Sequence, residues 1–214
     1  MKHYAFPPVP QVSAEISGSD EFFPVRRIFC VGCNYADPEV EGGELPFYFT
    51  KSAAALIPSR QRIAFPPGTG DFRHEVELVV ALGEYAAIFG YACGLDMSRR
   101  DLHVPARGGI QAWDLGKDFD NSAVIGPISR DFTPAAQAIG LTVNGDMRQS
   151  ASLAAMAWKV PQIISHLATL YRLEAGDLIF TGTPAGTGPV HPGDVIKGEI
   201  EDLAPVWLTI EPRY

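Results

Sequence analysis

The sequence has few cysteines, a deficit of basic residues and no long apolar run. Its three cysteines are too few, and odd in number, for a disulfide framework. Lys and Arg total 17 against 25 Asp and Glu, and a net charge of −8 argues against binding to nucleic-acid phosphates. No apolar segment approaches the ~20 residues of a membrane span. Prolines also interrupt residues 1–12, where a signal peptide would need an apolar helix. We therefore expect a cytoplasmic protein with neither a nucleic-acid nor a membrane partner.

What is present is typical of one globular domain. Hydrophobic residues make up 46% of the 214 positions and charged residues 20%, so the chain is able to bury a sizeable core. We find no repeat or linker, and predict a single domain over residues 1–214 in which residues 1–24 form an extended N-terminal arm. The many short apolar segments, with 21 Gly and 18 Pro, favour an α+β fold dominated by β-strands with few helices.

Hydrophobic periodicity locates the main elements. Residues 75–82 form the clearest strand, with Val76, Leu78, Val80 and Leu82 alternating on one face, and the next short apolar segment ends at Asp96. The best helical region is 152–171, where Pro161 suits a first helical position. Asn144-Gly145 predicts a hairpin turn. Further strands are predicted at residues 25–31, 45–50, 177–180, 194–200 and 205–210.

Three acidic residues stand out against this apolar background. Glu75 and Glu77 are two positions apart in a predicted strand, so both side chains would lie on one face about 6.6–7 Å apart. Two repelling carboxylates there need basic neighbours or a divalent cation, unless the face is simply solvated. Asp96, at the end of the next segment, is placed to converge on them. Three carboxylates without a soft ligand favour Mg²⁺ or Mn²⁺, with Ca²⁺ also compatible.

Other candidate residues leave several interpretations open. Cys30 and Cys33 form a CxxC, but Cys30 continues a strand-like run and no His pair completes a zinc site, so two small core residues are favoured. Lys117 lies among acids and is either a surface ion-pair partner or a fixed charge for an anionic substrate. The Gly/Thr-rich loop 181–188 follows a strand without a Walker lysine, and is either a plain turn or a carboxylate-binding loop.

Taken together, these segments resemble the fumarylacetoacetate hydrolase family, and most of all its fumarylpyruvate hydrolase branch. The resemblance implies a mixed β-sandwich and β-roll fold, usually in a homodimer. It also implies cleavage of a C–C bond in acylpyruvates such as fumarylpyruvate, with Mg²⁺ or Mn²⁺ stabilising the pyruvate enolate that leaves. The matching segments, in family order, are residues 29–37, 74–83, 90–101, 113–120, 141–145 and 181–188.

The resemblance assigns roles to individual positions. Lys117 matches a position that holds the substrate's negative charge, and we count it among the catalytic residues. Arg100 has the same charge-holding role, and Thr183 matches a loop residue that contacts the substrate carboxylate. The metal ligands of the family fall on Glu75, Glu77 and Asp96.

The sequence departs from the family pattern Arg-Asn-Tyr-Ala-x-His-x-x-Glu after Gly32. Cys33 occupies the Arg position, Pro38 the His position, and Glu41 the Glu position. In the family, the Glu orients the His, which activates the attacking water. Glu41 is therefore the one matching candidate base. The stretches 43–45 and 84–90 are also shorter than the family pattern, which predicts a reduced lid over the substrate.

Three functions follow as hypotheses. The first is a metal-dependent acylpyruvate hydrolase acting on fumarylpyruvate. The second is decarboxylation or keto–enol tautomerisation of a small 2-oxo acid such as oxaloacetate, which needs chelation and enolate stabilisation but no water-activating His. The third is a non-catalytic relative that binds a metal and an oxo acid, which the replacement of the family His by Pro38 favours.

Overall fold

The computed structural model describes residues 3–35, 46–103 and 113–213. Two α-helices occur among them, α1 (Asp114–Lys117) and α2 (Val160–Leu170), with short 3₁₀ turns at Ala53–Ala55, Glu84–Ala86, Arg100–Leu102 and Leu153–Ala155. The strands are β1 (Ser13–Glu15), β2 (Phe22–Pro24), β3 (Arg27–Gly32), β4 (Phe47–Lys51), β5 (Leu56–Pro58), β6 (Gln61–Ala64), β7 (Phe72–His74), β8 (Val76–Leu82), β9 (Ile88–Asp96), β10 (Ser98–Arg99), β11 (Ala123–Ile125), β12 (Ala138–Val143), β13 (Asp146–Ser152), β14 (Asp177–Phe180), β15 (Gly188–Pro189), β16 (Val195–Ile200) and β17 (Val206–Glu211).

Two large sheets carry most of the structure. The first has seven strands in the order β4-β3-β14-β8-β9-β11-β5, and the second has five in the order β13-β12-β16-β17-β6. Two small sheets, β1-β2 and β10-β7-β15, complete the described part of the chain. The predicted α+β class with a dominance of strands is confirmed. Neither described α-helix is long and apolar enough to cross a bilayer, since the longer has 11 residues.

The central strand β8 is buried on both faces, as expected of a strand that packs between two layers. One face packs with residues of the five-stranded sheet in the larger core, and the other joins a second core that includes the N-terminal hairpin. The predicted alternation is confirmed, because Val76, Leu78, Val80 and Leu82 lie in the first core while Val79 and Ala81 lie in the second.

The N-terminal segment is more ordered than an extended arm. Strands β1 and β2 pair antiparallel with Ala14 opposite Phe23, and both side chains are buried in the second core. Residues 3–11 are exposed, whereas the rest of the predicted arm contains the two strands of this hairpin. The hairpin covers one face of the seven-stranded sheet.

The predicted helix over 152–171 is wrong in its first half. Strand β13 continues to Ser152, whose hydroxyl accepts a hydrogen bond from Ala154 N at 3.2 Å and caps a short 3₁₀ turn. The backbone N–H groups of Ala157 and Trp158 donate to Asn34 rather than to a preceding helical turn. These contacts with a distant part of the chain outweigh local helix propensity. Helix α2 begins only at Val160, so Pro161 is its second residue.

Candidate metal and substrate site

Three carboxylates meet where the central strands of the seven-stranded sheet end. Glu75 stands in the break between β7 and β8, Glu77 lies on β8, and Asp96 ends β9. The antiparallel register pairs Val76 with Leu95, and Asp96 N donates to Glu75 O at 2.9 Å. One carboxylate oxygen from each residue lies within 4.8 Å of the other two. The structure thus brings the three predicted ligands together. Glu75 itself lies outside the regular strand predicted for residues 75–82.

Two buried lysines accompany the carboxylates. Lys117 Nζ lies 2.8 Å from Glu75 Oε2 and 2.9 Å from Asp96 Oδ2, while Lys51 Nζ lies 2.7 Å from Asp96 Oδ1. The interpretation of Lys117 as a surface ion-pair partner is wrong, since it is 2% exposed. Burial alone would lower the pKa of Lys117, but Asp96 and Glu75 outweigh that effect and hold the pKa above its ordinary value. Lys117 is therefore a permanent positive charge in this site.

The protein's own cations do not neutralise Glu77. This carboxylate is buried, and its Oε2 accepts a hydrogen bond from Gly182 N at 2.8 Å. Burial and the neighbouring Asp96 and Glu75 raise its pKa well above the ordinary value. At Asp96 burial acts in the same direction, but Lys117 and Lys51 prevail and lower the pKa. The charge of Glu77 is thus the one that the two lysines leave uncompensated and that a further cation would offset.

This donor set fits a divalent hard cation. Three ionised carboxylates against two ammonium groups leave one negative charge in excess, and a low-dielectric site compensates such an excess poorly. The available ligand atoms are carboxylate oxygens, which Mg²⁺, Mn²⁺ and Ca²⁺ accept. Glu75, Glu77 and Asp96 are the residues that would hold the ion.

A glycine brings the loop after β14 onto Glu77. Gly182 has φ of +97°, and a Cβ there would lie 2.7 Å from Asn34 Cβ and 3.0 Å from Val31 O. The positive φ and the lack of space for a Cβ both exclude any residue other than glycine. Asn34 fixes the same loop from the other side, since its Nδ2 donates to Thr181 O at 2.7 Å. The Gly182 amide is therefore positioned by close backbone packing.

A cavity of about 510 Å³ lies over the carboxylates. Every predicted site residue that the structure describes lines it, namely Glu75, Glu77, Asp96, Arg100, Lys117 and Thr183. Glu41 and Pro38 lie outside the described residues, as does the shortened stretch 43–45. The shortened stretch 84–90 is described and forms a tight turn at Glu84–Ala86.

Two guanidinium groups also line this cavity. Arg100 Nη1 donates to His103 Nδ1 at 3.1 Å, and the His103 ring stacks on Trp113 with centroids 4.9 Å apart. Because a guanidinium only donates, His103 Nδ1 is the unprotonated nitrogen. Burial, Lys117 and Arg100 lower the pKa of His103, which keeps the ring neutral near pH 7. Arg73 is held by Asp71 through two contacts of 2.8 Å. The cavity thus offers positive charge to a second anionic group.

The loop residue Thr183 is fixed through its hydroxyl. Thr183 Oγ1 donates to Val76 O at 2.8 Å and accepts from Gln149 Nε2 at 2.8 Å. Ser98 supports the cluster from another strand, since its hydroxyl donates to Glu75 Oε1 at 2.6 Å. The interpretation of both CxxC cysteines as core residues is right for Cys30 and wrong for Cys33, which is exposed at the cavity wall with φ of +56°.

Sequence reasoning missed Lys51, Gln149, Arg73, His103 and Ser98. A weak signal existed for Lys51, which shares a face of β4 with Phe47 and Phe49, because a lysine on an apolar face must reach solvent or pair its charge. Gln149 carried no local signal, since a polar residue after a hairpin turn is most often exposed.

Comparison with known proteins is consistent with this geometry. Residues 27–211 match the family model described as fumarylacetoacetate (FAA) hydrolase, C-terminal. A fumarylpyruvate hydrolase from Ralstonia sp. is 42% identical over 181 residues, which cover 79% of this chain and 94% of that protein. Oxaloacetate tautomerase YcgM from Escherichia coli K12 is 38% identical over 194 residues, which cover 80% and 87% of the two chains.

Among solved structures, a fumarylpyruvate hydrolase from Pseudomonas aeruginosa in complex with Mn²⁺ and pyruvate superposes with a TM-score of 0.92 at 38% identity. The superposition covers 99% of this chain and 100% of that one. Family model, relatives and structural neighbour agree with each other and with the resemblance of the sequence motifs. This chain belongs to the fumarylacetoacetate hydrolase family.

Proposed function

We propose that the protein is a divalent-metal-dependent hydrolase that cleaves the C–C bond of an acylpyruvate, with fumarylpyruvate as its substrate. The observation that carries the proposal is the cluster of three converging carboxylates, with one negative charge in excess, on the wall of a cavity that also presents two guanidinium groups. Similarity to a fumarylpyruvate hydrolase at 42% identity supports the choice of substrate.

The charges of the site suit a 2-oxo acid. Glu75, Glu77 and Asp96 would hold Mg²⁺ or Mn²⁺, and the bound ion would supply the positive charge that stabilises the departing enolate. With a divalent ion, the five charged side chains and the ion sum to +1. That charge balances the single carboxylate at the pyruvate end of the substrate.

Lys117 acts as a fixed cation in this proposal. Its ammonium is held between Glu75 and Asp96, so it does not serve as a base at neutral pH. Its charge favours the electron-rich oxygens of the oxo acid and of the enolate that forms. Thr183 would contact the pyruvate carboxylate, and Arg100 the carboxylate at the far end of the acyl chain.

The hydrolysis itself needs one base and one acid. Water loses a proton and adds to the acyl carbonyl carbon, and the bond from that carbon to the pyruvate CH₂ then breaks. Its electron pair stays with the pyruvate fragment as an enolate, which takes up a proton to give pyruvate beside the free carboxylic acid. We assign the water-activating role to Glu41, because Pro38 stands where the family has His.

A second candidate is keto–enol tautomerisation or decarboxylation of oxaloacetate. The replacement at Pro38 favours it, because neither reaction needs an activated water. The 38% identity to an oxaloacetate tautomerase also supports it. Oxaloacetate carries two carboxylates and would use the same charged groups.

The deciding experiment compares the two substrates on one preparation. Metal-stripped protein is reloaded with Mn²⁺ or Mg²⁺, and the loss of enol absorbance is followed with fumarylpyruvate and with oxaloacetate, while the products are identified. We expect metal-dependent formation of pyruvate and fumarate. Faster turnover of oxaloacetate would favour the second candidate. Binding of oxalate with no turnover of either substrate would indicate a non-catalytic relative. We also infer a homodimer, which light scattering of the same sample tests.

A further inference from the structure

A closed ring of hydrogen bonds joins the acidic strand to the Thr183 loop. Val76, which lies between the two glutamates, donates its N–H to Gln149 Oε1 at 3.1 Å. Gln149 Nε2 donates to Thr183 Oγ1 at 2.8 Å, and Thr183 Oγ1 donates to Val76 O at 2.8 Å. Gln149 is 1% exposed and belongs to β13, a strand of the other large sheet.

The direction of the Gln149 amide is fixed by its four neighbours. Its oxygen accepts from Val76 N–H and lies 3.1 Å from His74 Nδ1, which donates in one of the two imidazole tautomers. Its nitrogen faces two acceptors, Thr183 Oγ1 and Pro184 O, both at 2.8 Å. A flipped amide would place its NH₂ group against Val76 N–H and its oxygen against Pro184 O, and neither backbone group is able to change its role. The amide is therefore able to act only as a donor toward the Thr183 loop.

This arrangement determines what the Thr183 hydroxyl is able to do. A hydroxyl has one proton, which Thr183 gives to Val76 O, and one of its two lone pairs accepts the Gln149 N–H. To bind a carboxylate, the hydroxyl must turn its proton from Val76 O toward the cavity. The Gln149 N–H bond is compatible with either direction, so it holds the oxygen in place while the proton changes acceptor.

We propose that Gln149 is a positioning residue that holds Thr183 in place to bind the substrate carboxylate. This role rests on the proposed function, in which Thr183 contacts the carboxylate of a 2-oxo acid. Gln149 itself donates to no ligand, since both N–H groups are already used by the loop. Its contribution therefore passes through Thr183.

A double-mutant cycle on oxalate binding tests this role. Oxalate affinity is measured by calorimetry with the Mn²⁺-loaded full chain for wild type, Gln149→Met, Thr183→Val and the double variant. Gln149→Met keeps similar length without the donors, and we expect about tenfold weaker binding, the effect of one hydrogen bond to a charged ligand. In the Thr183→Val background the same change should have less than a twofold effect, because the group through which Gln149 acts is gone. With substrate, KM should rise more than kcat falls.

Controls separate this role from a purely structural one. Gln137→Glu removes a donor from a glutamine outside the cavity, whose Nε2 bonds Thr133 O at 3.0 Å, and should leave oxalate affinity unchanged. Mn²⁺ affinity should remain within threefold in every variant. The positioning role of Gln149 would be overturned if Gln149→Met weakened oxalate binding equally in the wild-type and Thr183→Val backgrounds. Misfolding of both Gln149→Met and Gln149→Glu while Thr183→Val binds normally would also overturn it. Wild-type protein that binds Mn²⁺ but not oxalate would instead overturn the proposed function as a whole.

Discussion

Two clusters of buried charge lie in the same seven-stranded sheet, and they are built differently. Asp177, at the start of β14, is fully buried. Its carboxylate accepts hydrogen bonds from Arg26 Nη1 and Arg27 Nε at 3.0 Å, from Arg27 Nη2 at 2.7 Å and from Glu174 N at 2.9 Å. Arg26 also pairs with Glu174 at 2.6 Å and the exposed Arg172 pairs with Glu174 at 3.1 Å, so each of the two acids has arginine partners. At the other cluster, three carboxylates meet two lysines.

The difference separates a structural cluster from a functional one. Around Asp177 every charge has a partner and the arginines reach solvent, so the cluster holds β3 and β14 together without a ligand. Around Asp96 one acidic charge is left over, and the cluster adjoins a cavity. A buried excess of negative charge destabilises the metal-free protein and favours the binding of a cation. An uncompensated carboxylate charge therefore distinguishes the two clusters better than burial does.

The largest effect is expected from neutralising the excess acid. Glu77→Gln should lower kcat/KM by about 10³-fold, because it removes one of three metal ligands. In the metal-free protein the same change should leave the melting temperature unchanged or raise it, since it also removes a buried charge that nothing compensates. Steady-state kinetics and thermal denaturation without metal measure the two effects. A Glu77→Gln protein of wild-type activity would contradict the functional assignment of the cluster.

Added metal should stabilise the protein by binding at the acidic cluster and should not act through the Asp177 cluster. At Mn²⁺ of 100 times its Kd, binding adds about 2.7 kcal/mol to the free energy of unfolding. In a domain of this size that corresponds to a rise in melting temperature of about 8 °C. Asp177→Asn should show the same rise as wild type, and Glu77→Gln little or none. Equal shifts in all three proteins would place the ion somewhere other than the acidic cluster.

A smaller effect, on stability alone, is expected at the Asp177 cluster. Asp177→Asn removes the charge that Arg26 and Arg27 share, and should lower the free energy of unfolding by about 2 kcal/mol, less than for a fully buried pair because both arginines are partly solvated. Urea denaturation measures the loss. Activity per folded molecule should stay within twofold of wild type, and a larger fall would mean that the two clusters are coupled.

The sequence predicted the site where the signal was local. Alternation over β8 identified its two faces, and Glu75, Glu77 and Asp96 were exceptions to an apolar pattern. Their convergence follows from the antiparallel pairing of β8 with β9, which the sequence pattern did not specify. The metal, substrate and Glu41 assignments remain proposals.

What could not be predicted depends on contacts between distant segments. Lys117 looks like a surface lysine because its own neighbours are acidic, and only the packing of α1 against β4 and β10 buries it. The first half of the predicted helix 152–171 was lost for a similar reason, since Asn34 binds its backbone from far away in the chain. Neither the burial of Lys117 nor the late start of helix α2 can be predicted from short-range periodicity.

Substitution of Lys51 should have the smallest effect on activity, and it tests most directly how the charges around Asp96 affect metal binding. Its ammonium is buried and bonds Ser122 Oγ at 3.0 Å and Met97 O at 3.2 Å as well as Asp96. Lys51→Met should lower kcat/KM by about tenfold, the low end for residues that orient a metal ligand, because Lys117 still holds the other Asp96 oxygen. It should also tighten Mn²⁺ binding, since it leaves the cluster more negative. Calorimetry and kinetics on one preparation test both directions. Weaker Mn²⁺ binding would show that Lys51 acts by holding Asp96 in position rather than through its charge.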